Sequence, residues 1–197
     1  MDDDVSVLRA VERLLRTSGI TVEAFTSPAA FLKRLPYDGP ACVVLDMRMP
    51  GLSGLDVQGQ IALTSIGMST IFLSGASDVP TAAKALRKGA VDFLVKPVDA
   101  QELLDAVSRA LAASADNLKR RREQSEYRSR LARLTRRERE VCELVATGLL
   151  NKQIAHALGT SEKTIKVHRA RVMHKLEVDS VAGLVWLLSR MQNSPSS

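Results

Sequence analysis

Cysteine is scarce: Cys42 and Cys142 are the only two in 197 residues. They stand far apart and outside any metal-ligand spacing, which argues against a disulfide scaffold and makes a reduced cytoplasmic setting the default. Histidine is equally sparse, with three residues that no zinc-binding spacing joins. Aromatic side chains make up 4% of the chain, too few for the stacking platforms of a single-strand nucleic-acid binder. No apolar run approaches the ~20 residues of a membrane-spanning helix, and the acidic start Met1-Asp2-Asp3-Asp4 does not read as a secretory leader. What remains is ordinary globular composition, 45% hydrophobic and 25% charged, in a chain long enough for two small cores.

Charge is unevenly spread. Residues 1–115 carry 11 Lys/Arg against 13 Asp/Glu, a net of −2, whereas residues 116–197 carry 17 against 9, a net of +8. Two domains with different partners are expected, the second facing a polyanion. The run Lys119, Arg120, Arg121 and Arg122 explains part of the excess as a solvated helix face, but not all of it.

The first half alternates helix and strand. Val5, Leu8, Val11, Leu14 and Leu15 recur at helical spacing up to Gly19, and a short strand is expected at Thr21–Phe25. Ser27 and Pro28 read as N-cap and first residue of a helix. Ala41–Leu45 is a continuous apolar run ending at Asp46, the pattern of a strand buried on both faces. Helices near Leu55–Leu63 and Val79–Lys88, strands at Thr70–Leu73 and Asp92–Val95, and a helix capped by Asp99 complete the alternation. Such a pattern means a parallel sheet with helices on both faces and a site at the carboxyl ends of the strands.

At those ends stand Asp46, Ser74 and Lys96, with Asp2, Asp3 and Asp4 just before the first helix. Each alone is punctuation, since a lone Asp at a strand end is most often a cap. Together they put carboxylates, a hydroxyl and an ammonium on one rim. Clustered carboxylates repel one another, and a hard divalent cation with oxygen ligands relieves this. Asp46 is then a candidate phosphoryl acceptor.

Asp2-Asp3-Asp4, Leu45–Gly51 (LDMRMPG), Ser74-Gly75 and Phe93–Pro97 (FLVKP) resemble the receiver domain of two-component response regulators. The resemblance implies a flavodoxin-like, doubly wound parallel sheet over residues 1–113, with phosphoryl transfer from a sensor histidine kinase to Asp46. It implies magnesium (Mg2+) held by Asp3, Asp46 and the backbone carbonyl of Arg48, with Asp2 acting through water. Ser74 and Phe93 match the family's switch pair, Lys96 completes the site, and a cis bond is expected at Lys96-Pro97. One departure stands out. The family's first, central strand precedes the aspartates, whereas here Met1 does, leaving backbone edges unpaired across a gap. Either the start is assigned too late or the receiver is compromised, and the intact downstream residues favour the first.

Residues 114–133 lack Gly and Pro and are expected to prolong the last receiver helix as a solvated linker. Beyond it, Thr135-Arg136-Arg137-Glu138 is a capping box opening a helix with Val141, Leu144 and Val145 inward and Gly148 as its stop. Asn151 is expected to cap a short second helix, and Ser161 a third running to about Leu176. Two helices joined so tightly after Gly159 are a helix-turn-helix signature. The third helix keeps Ile165, Val172, Met173 and Leu176 for the core and shows Lys163, Lys166, His168, Arg169, Arg171 and Lys175 on its other faces, groups suited to phosphates and base edges. A last helix, about Ser180–Met191, offers Val181, Leu184, Val185, Trp186 and Leu188, with Trp186 as core and a dimer face as a further use. His156 and His174 read as surface residues.

Leu134–Val141, Asn151–Ala155 and Thr164–Arg169 resemble the LuxR-type helix-turn-helix, over residues 134–191. With the receiver the chain resembles the FixJ/NarL type, and through His168–Arg171 it is most similar to the FixJ-like branch. The resemblance implies that Lys166 and Val167 face the major groove of double-stranded DNA, while Thr164, His168, Arg169 and Arg171 read bases or hold phosphates. It further implies a homodimer on phosphorylation and, as another partner, RNA polymerase. No membrane partner is expected, and the polar tail 192–197 is expected to be disordered. Two rivals are weighed: a DNA-binding regulator whose receiver cannot be phosphorylated, and a magnesium-dependent phosphohydrolase. The second is disfavoured because Arg48 stands where such enzymes carry a second acid.

Overall fold

Ile71 and Leu73 point to one side of a parallel sheet and Phe72 to the other, so the two faces of one strand anchor two separate cores. That strand, β2 (Ser69–Ser74), is buried along its whole length and lies between β1 (Cys42–Asp46) and β3 (Asp92–Val95). The register pairs Val44 with Ile71 and Leu73 with Leu94. This is the computed structural model of the chain, and it describes residues 1–64, 67–75 and 79–192. The chain divides into two units, Met1–Lys119 and Arg120–Ser197. The tail 193–197 lies outside the described residues.

In the first unit, helices α1 (Val5–Thr17), α2 (Pro28–Arg34), α3 (Gly54–Thr64) and α4 (Val79–Arg87) accompany the strands, and α5 (Ala100–Ala132) begins there and continues past its end at Lys119. Leu45, Val57, Ile61, Phe72 and Ala85 form one core, and Leu15, Ile71, Leu73, Leu103 and Val107 the other. The Ser27 hydroxyl accepts from Ala30 N ahead of Pro28, and Asp99 accepts from Gln101 N and Glu102 N, satisfying orphan donors at both helix starts. α5 runs without a break through the expected linker to Ala132.

The expected strand at Thr21–Phe25 does not form. A strand exists only through its ladder, and among the described residues this segment has one such backbone bond, from Asp2. The Met1 amine donates to Val44 O at 2.6 Å, Asp46 N donates to Met1 O at 2.9 Å, and Asp2 N donates to Phe25 O at 3.3 Å. Behind Met1 a cavity of about 460 Å³ opens between the 21–25 segment and β1, lined by Leu8, Val11, Val22, Phe25, Phe31 and Val44 among others. This cavity explains α1: of its apolar stripe only Leu15 is buried, and Val5 is largely in solvent.

The second unit contains α6 (Arg136–Ala146), α7 (Asn151–Ala157), α8 (Glu162–Leu176) and α9 (Val181–Gln192). They close around Val141, Val145, Ile154, Ile165, Val172, Leu176 and Leu184. Gly148, at φ +86°, turns the chain out of α6 in a conformation that a side chain would strain. Three expectations are corrected. The N-cap of α7 is Leu150, whose N–H is satisfied by Gln153 Oε1 at 2.8 Å, so Asn151 is the first helical residue and caps nothing. Trp186 is half-exposed rather than core, edge-on to Tyr127 with Arg190 over its ring. Of the expected apolar residues of α9, Leu184 is buried and Val181 and Leu188 pack on the core, but Leu187, three positions after Leu184, is the second buried residue, and Val185 and Trp186 turn outward.

The capping box at Thr135 and Glu138 forms and gains a third member. Lys175 Nζ donates to Glu138 Oε2 at 2.6 Å and to Arg133 O at 3.1 Å, so this cation braces α8 against α6. The Lys175 ammonium, then the Thr135 N–H, hold the Glu138 carboxyl at about 2, below its ordinary 4.5. A folded value below the unfolded one stabilises fully above the unfolded pKa and is lost as pH falls from there toward the folded one. Glu138→Gln is therefore expected to be less stable than the parent at neutral pH, with the gap closing as pH falls from 4.5 toward 2. Urea titrations across that range check it.

Candidate functional site

Three chain segments meet at one ammonium. Lys96, next after β3, donates from Nζ to Asp46 Oδ1 at 2.5 Å and to Asp2 Oδ2 at 2.7 Å. Asp46 closes β1, and its other oxygen accepts from Arg48 N at 2.7 Å, while the other oxygen of Asp2 accepts from Asp4 N at 3.0 Å. Asp2 and Asp46 are 4% and 7% exposed, so both carboxylates are nearly out of water and depend on these donors. Burial by itself lowers the pKa of the Lys96 ammonium, but the hydrogen bonds and charges of Asp2 and Asp46 outweigh it and raise the pKa. Lys96 N also donates to Ser74 O at 2.7 Å, tying the end of β3 to the end of β2. Gly54 is required beside them, because a Cβ there would stand 2.6 Å from Asp46 O and 2.9 Å from the Phe72 ring.

Not every acid joins this group. Asp4 caps α1, accepting from Ser6 N at 2.8 Å, and the chain bends at Asp3, which turns its side chain into solvent. Of the acids expected on this rim, Asp2 and Asp46 share the one lysine. Among the described residues no three His, Cys, Asp or Glu side chains are grouped to hold a metal. The donor chemistry still fits a hard cation: two nearly buried carboxylates share one positive charge, which leaves a net negative site of oxygen ligands beside Asp3. Ser74 is buried at the end of β2, Phe93 is half-buried against the Leu45–Phe72 core, and Arg48 is exposed. The Lys96-Pro97 bond is cis, as expected. Both thiols are free, and burial pushes Cys42 up to about 12 and Cys142 up to about 11, so neither supplies a thiolate at neutral pH.

In the second unit, Ile165, Val172 and Leu176 commit one face of α8 to the core. The opposite face presents Thr164, Lys166, Val167 and Arg171 to solvent, with His168 and Arg169 half-buried at its margins. Ser161 caps the helix, accepting from Thr164 N at 3.1 Å, and its hydroxyl also meets that of Thr164 at 2.8 Å. Glu162 lies 3.6 Å from the Lys166 ammonium, and Asn151 Oδ1 accepts from Arg169 Nη1 at 3.0 Å. His168 Nδ1 is buried and, among the described residues, has no hydrogen-bond partner. His156 and His174 are exposed, as expected. The bonds of Lys175 to Glu138 and of Arg169 to Asn151 are not visible in the sequence, because no local spacing links residues 37 and 18 positions apart.

Residues 1–108 match the family described as response regulator receiver domain, and residues 132–188 that described as bacterial regulatory proteins, luxR family. Response regulator protein TodT of Pseudomonas putida is 41% identical over 194 residues, 98% of this chain and 86% of that protein. Transcriptional regulatory protein FixJ of Azorhizobium caulinodans is 41% identical over 186 residues, 94% of this chain and 88% of that protein. The solved structure of the response regulator StyR superposes with a TM-score of 0.82 at 41% identity, covering 96% of both chains. Full-length FixJ from B. japonicum gives 0.58 at 36% identity, covering 97% of this chain and 94% of that one. Among the described residues no helix is long and apolar enough to cross a membrane. The chain belongs to the FixJ/NarL family of two-component response regulators, DNA-binding transcription regulators rather than enzymes, in which a receiver is followed by a LuxR-type helix-turn-helix.

Proposed function

We propose that this protein is a transcription factor switched by phosphorylation of Asp46, and that the shared hydrogen bonding of Asp46 and Asp2 to Lys96 is the observation that carries the reading. A carboxylate oxygen of Asp46 attacks the phosphorus of a histidine kinase's phosphoimidazole. The O–P bond forms as the N–P bond breaks, and the leaving imidazole is neutralised by a proton. Lys96 already faces the reacting carboxylate and pairs with the charge that the phosphoryl group adds. Ser74 supplies a hydroxyl for a phosphoryl oxygen, and Phe93, packed on the core rather than locked within it, moves with it as the switch pair. Magnesium would be held by Asp3, Asp46 and the Arg48 carbonyl, with Asp2 acting through water, and would neutralise the incoming phosphoryl oxygens.

The consequence is a shift between two arrangements of the receiver that differ in affinity for a second copy or for the DNA-binding half. Residues 114–133 connect receiver and helix-turn-helix in this reading. A dimer brings two α8 helices to half-sites about one turn of DNA apart, where Lys166 and Val167 enter the major groove and Thr164, His168, Arg169 and Arg171 read bases or hold phosphates. A kinase, double-stranded DNA and RNA polymerase are the partners, in a cytoplasmic setting.

The test is intact-mass spectrometry after exposure to acetyl phosphate and magnesium. The parent is expected to gain the mass of one phosphoryl group and Asp46→Asn none. A parent that stays unmodified supports the alternative, a DNA-binding regulator with a receiver that cannot be phosphorylated.

A further inference from the structure

Asn151 is misplaced as a structural residue. Asparagine is favoured as an N-cap and unfavourable within a helix, because its side chain competes for backbone groups. Here the cap position belongs to Leu150, and Gln153 satisfies that N–H. The Asn151 amide, at the first helical position of α7, instead reaches across the turn and accepts from Arg169 Nη1 on α8 at 3.0 Å. Both side chains are half-buried.

We propose that Asn151 is a positioning residue that holds the Arg169 guanidinium in its DNA-contacting orientation, an inference that rests on the reading of α8 as the DNA-facing helix. Arginine carries several rotatable bonds, and an unheld guanidinium loses that freedom on meeting a phosphate or base edge. One N–H of the fork's five is taken by Asn151, and the others have no partner among the described residues. The acceptor is neutral, so it fixes the guanidinium without cancelling its charge. Lys166 shows the contrast: its neighbour is the Glu162 carboxylate, and both are largely exposed. Arg169 is therefore held and keeps its full charge, whereas Lys166 is partly screened by its carboxylate neighbour. Because Asn151 sits on α7, the aim of this side chain depends on how the two helices of the motif are packed.

The experiment uses the full chain and a duplex that the unsubstituted protein selects from a random-sequence pool, with Kd measured across a potassium chloride series. Arg169→Met is expected to weaken binding about tenfold and to lower the slope of log Kd against log salt by about one, the signature of a lost phosphate contact. Asn151→Ala is expected to weaken binding about threefold to tenfold alone and to have no further effect when Arg169 is already Met, with melting temperature unchanged throughout. A cost of Asn151→Ala that is the same in both backgrounds, or no cost at all, overturns the proposal. So does an Arg169→Met protein that binds normally, while loss of binding in Lys166→Ala keeps the reading of α8 intact. If Lys166→Ala and Arg169→Met both bind as the parent does, or the parent selects no duplex, that reading itself falls and takes the proposal with it.

Discussion

Lys96→Met is expected to destabilise the receiver by about 3 kcal/mol, because removing one partner of a largely buried ion pair leaves charge without compensation. Two carboxylates with little access to water would face each other at the mouth of β1. Asp2→Asn in the Lys96→Met background should restore part of the deficit, because one of the two uncompensated charges is then gone. Phosphoryl incorporation should fall in both proteins, since restoring stability does not restore the positive charge. Urea unfolding together with intact-mass measurement separates the two effects; a Lys96→Met protein as stable as its parent would show that the triad contributes nothing to the fold.

Features encoded within one turn of chain were legible from the residues. Ser27 with Pro28, Thr135 with Glu138, and Ser161 act through hydrogen bonds that span three positions, and the structure shows each of them. So were Asp46 and Lys96, because strand ends can be located from apolar runs and the topology brings them together. Features that depend on a distant partner were not. Thr21–Phe25 has strand composition but no ladder, and Lys175 looks like a phosphate contact until Glu138 is seen 37 positions away. Asn151 has the chemistry of a cap, yet the cap position falls one residue earlier, at Leu150. Trp186, expected as core, turns outward because a three-residue spacing of Leu184 and Leu187 decides which side of α9 faces in. Asp3 stands beside Asp2 in sequence but not at the lysine, because the backbone bends there.

Coupling between Asp46 and the DNA-facing helix is the central claim, and affinity for the selected duplex with and without acetyl phosphate and magnesium measures it directly. Phosphodonor is expected to tighten binding of the unsubstituted protein at least several-fold at constant salt, while Asp46→Asn binds with one affinity under both conditions. A phosphodonor response that survives in Asp46→Asn, or a phosphorylated parent whose affinity does not move, would contradict it.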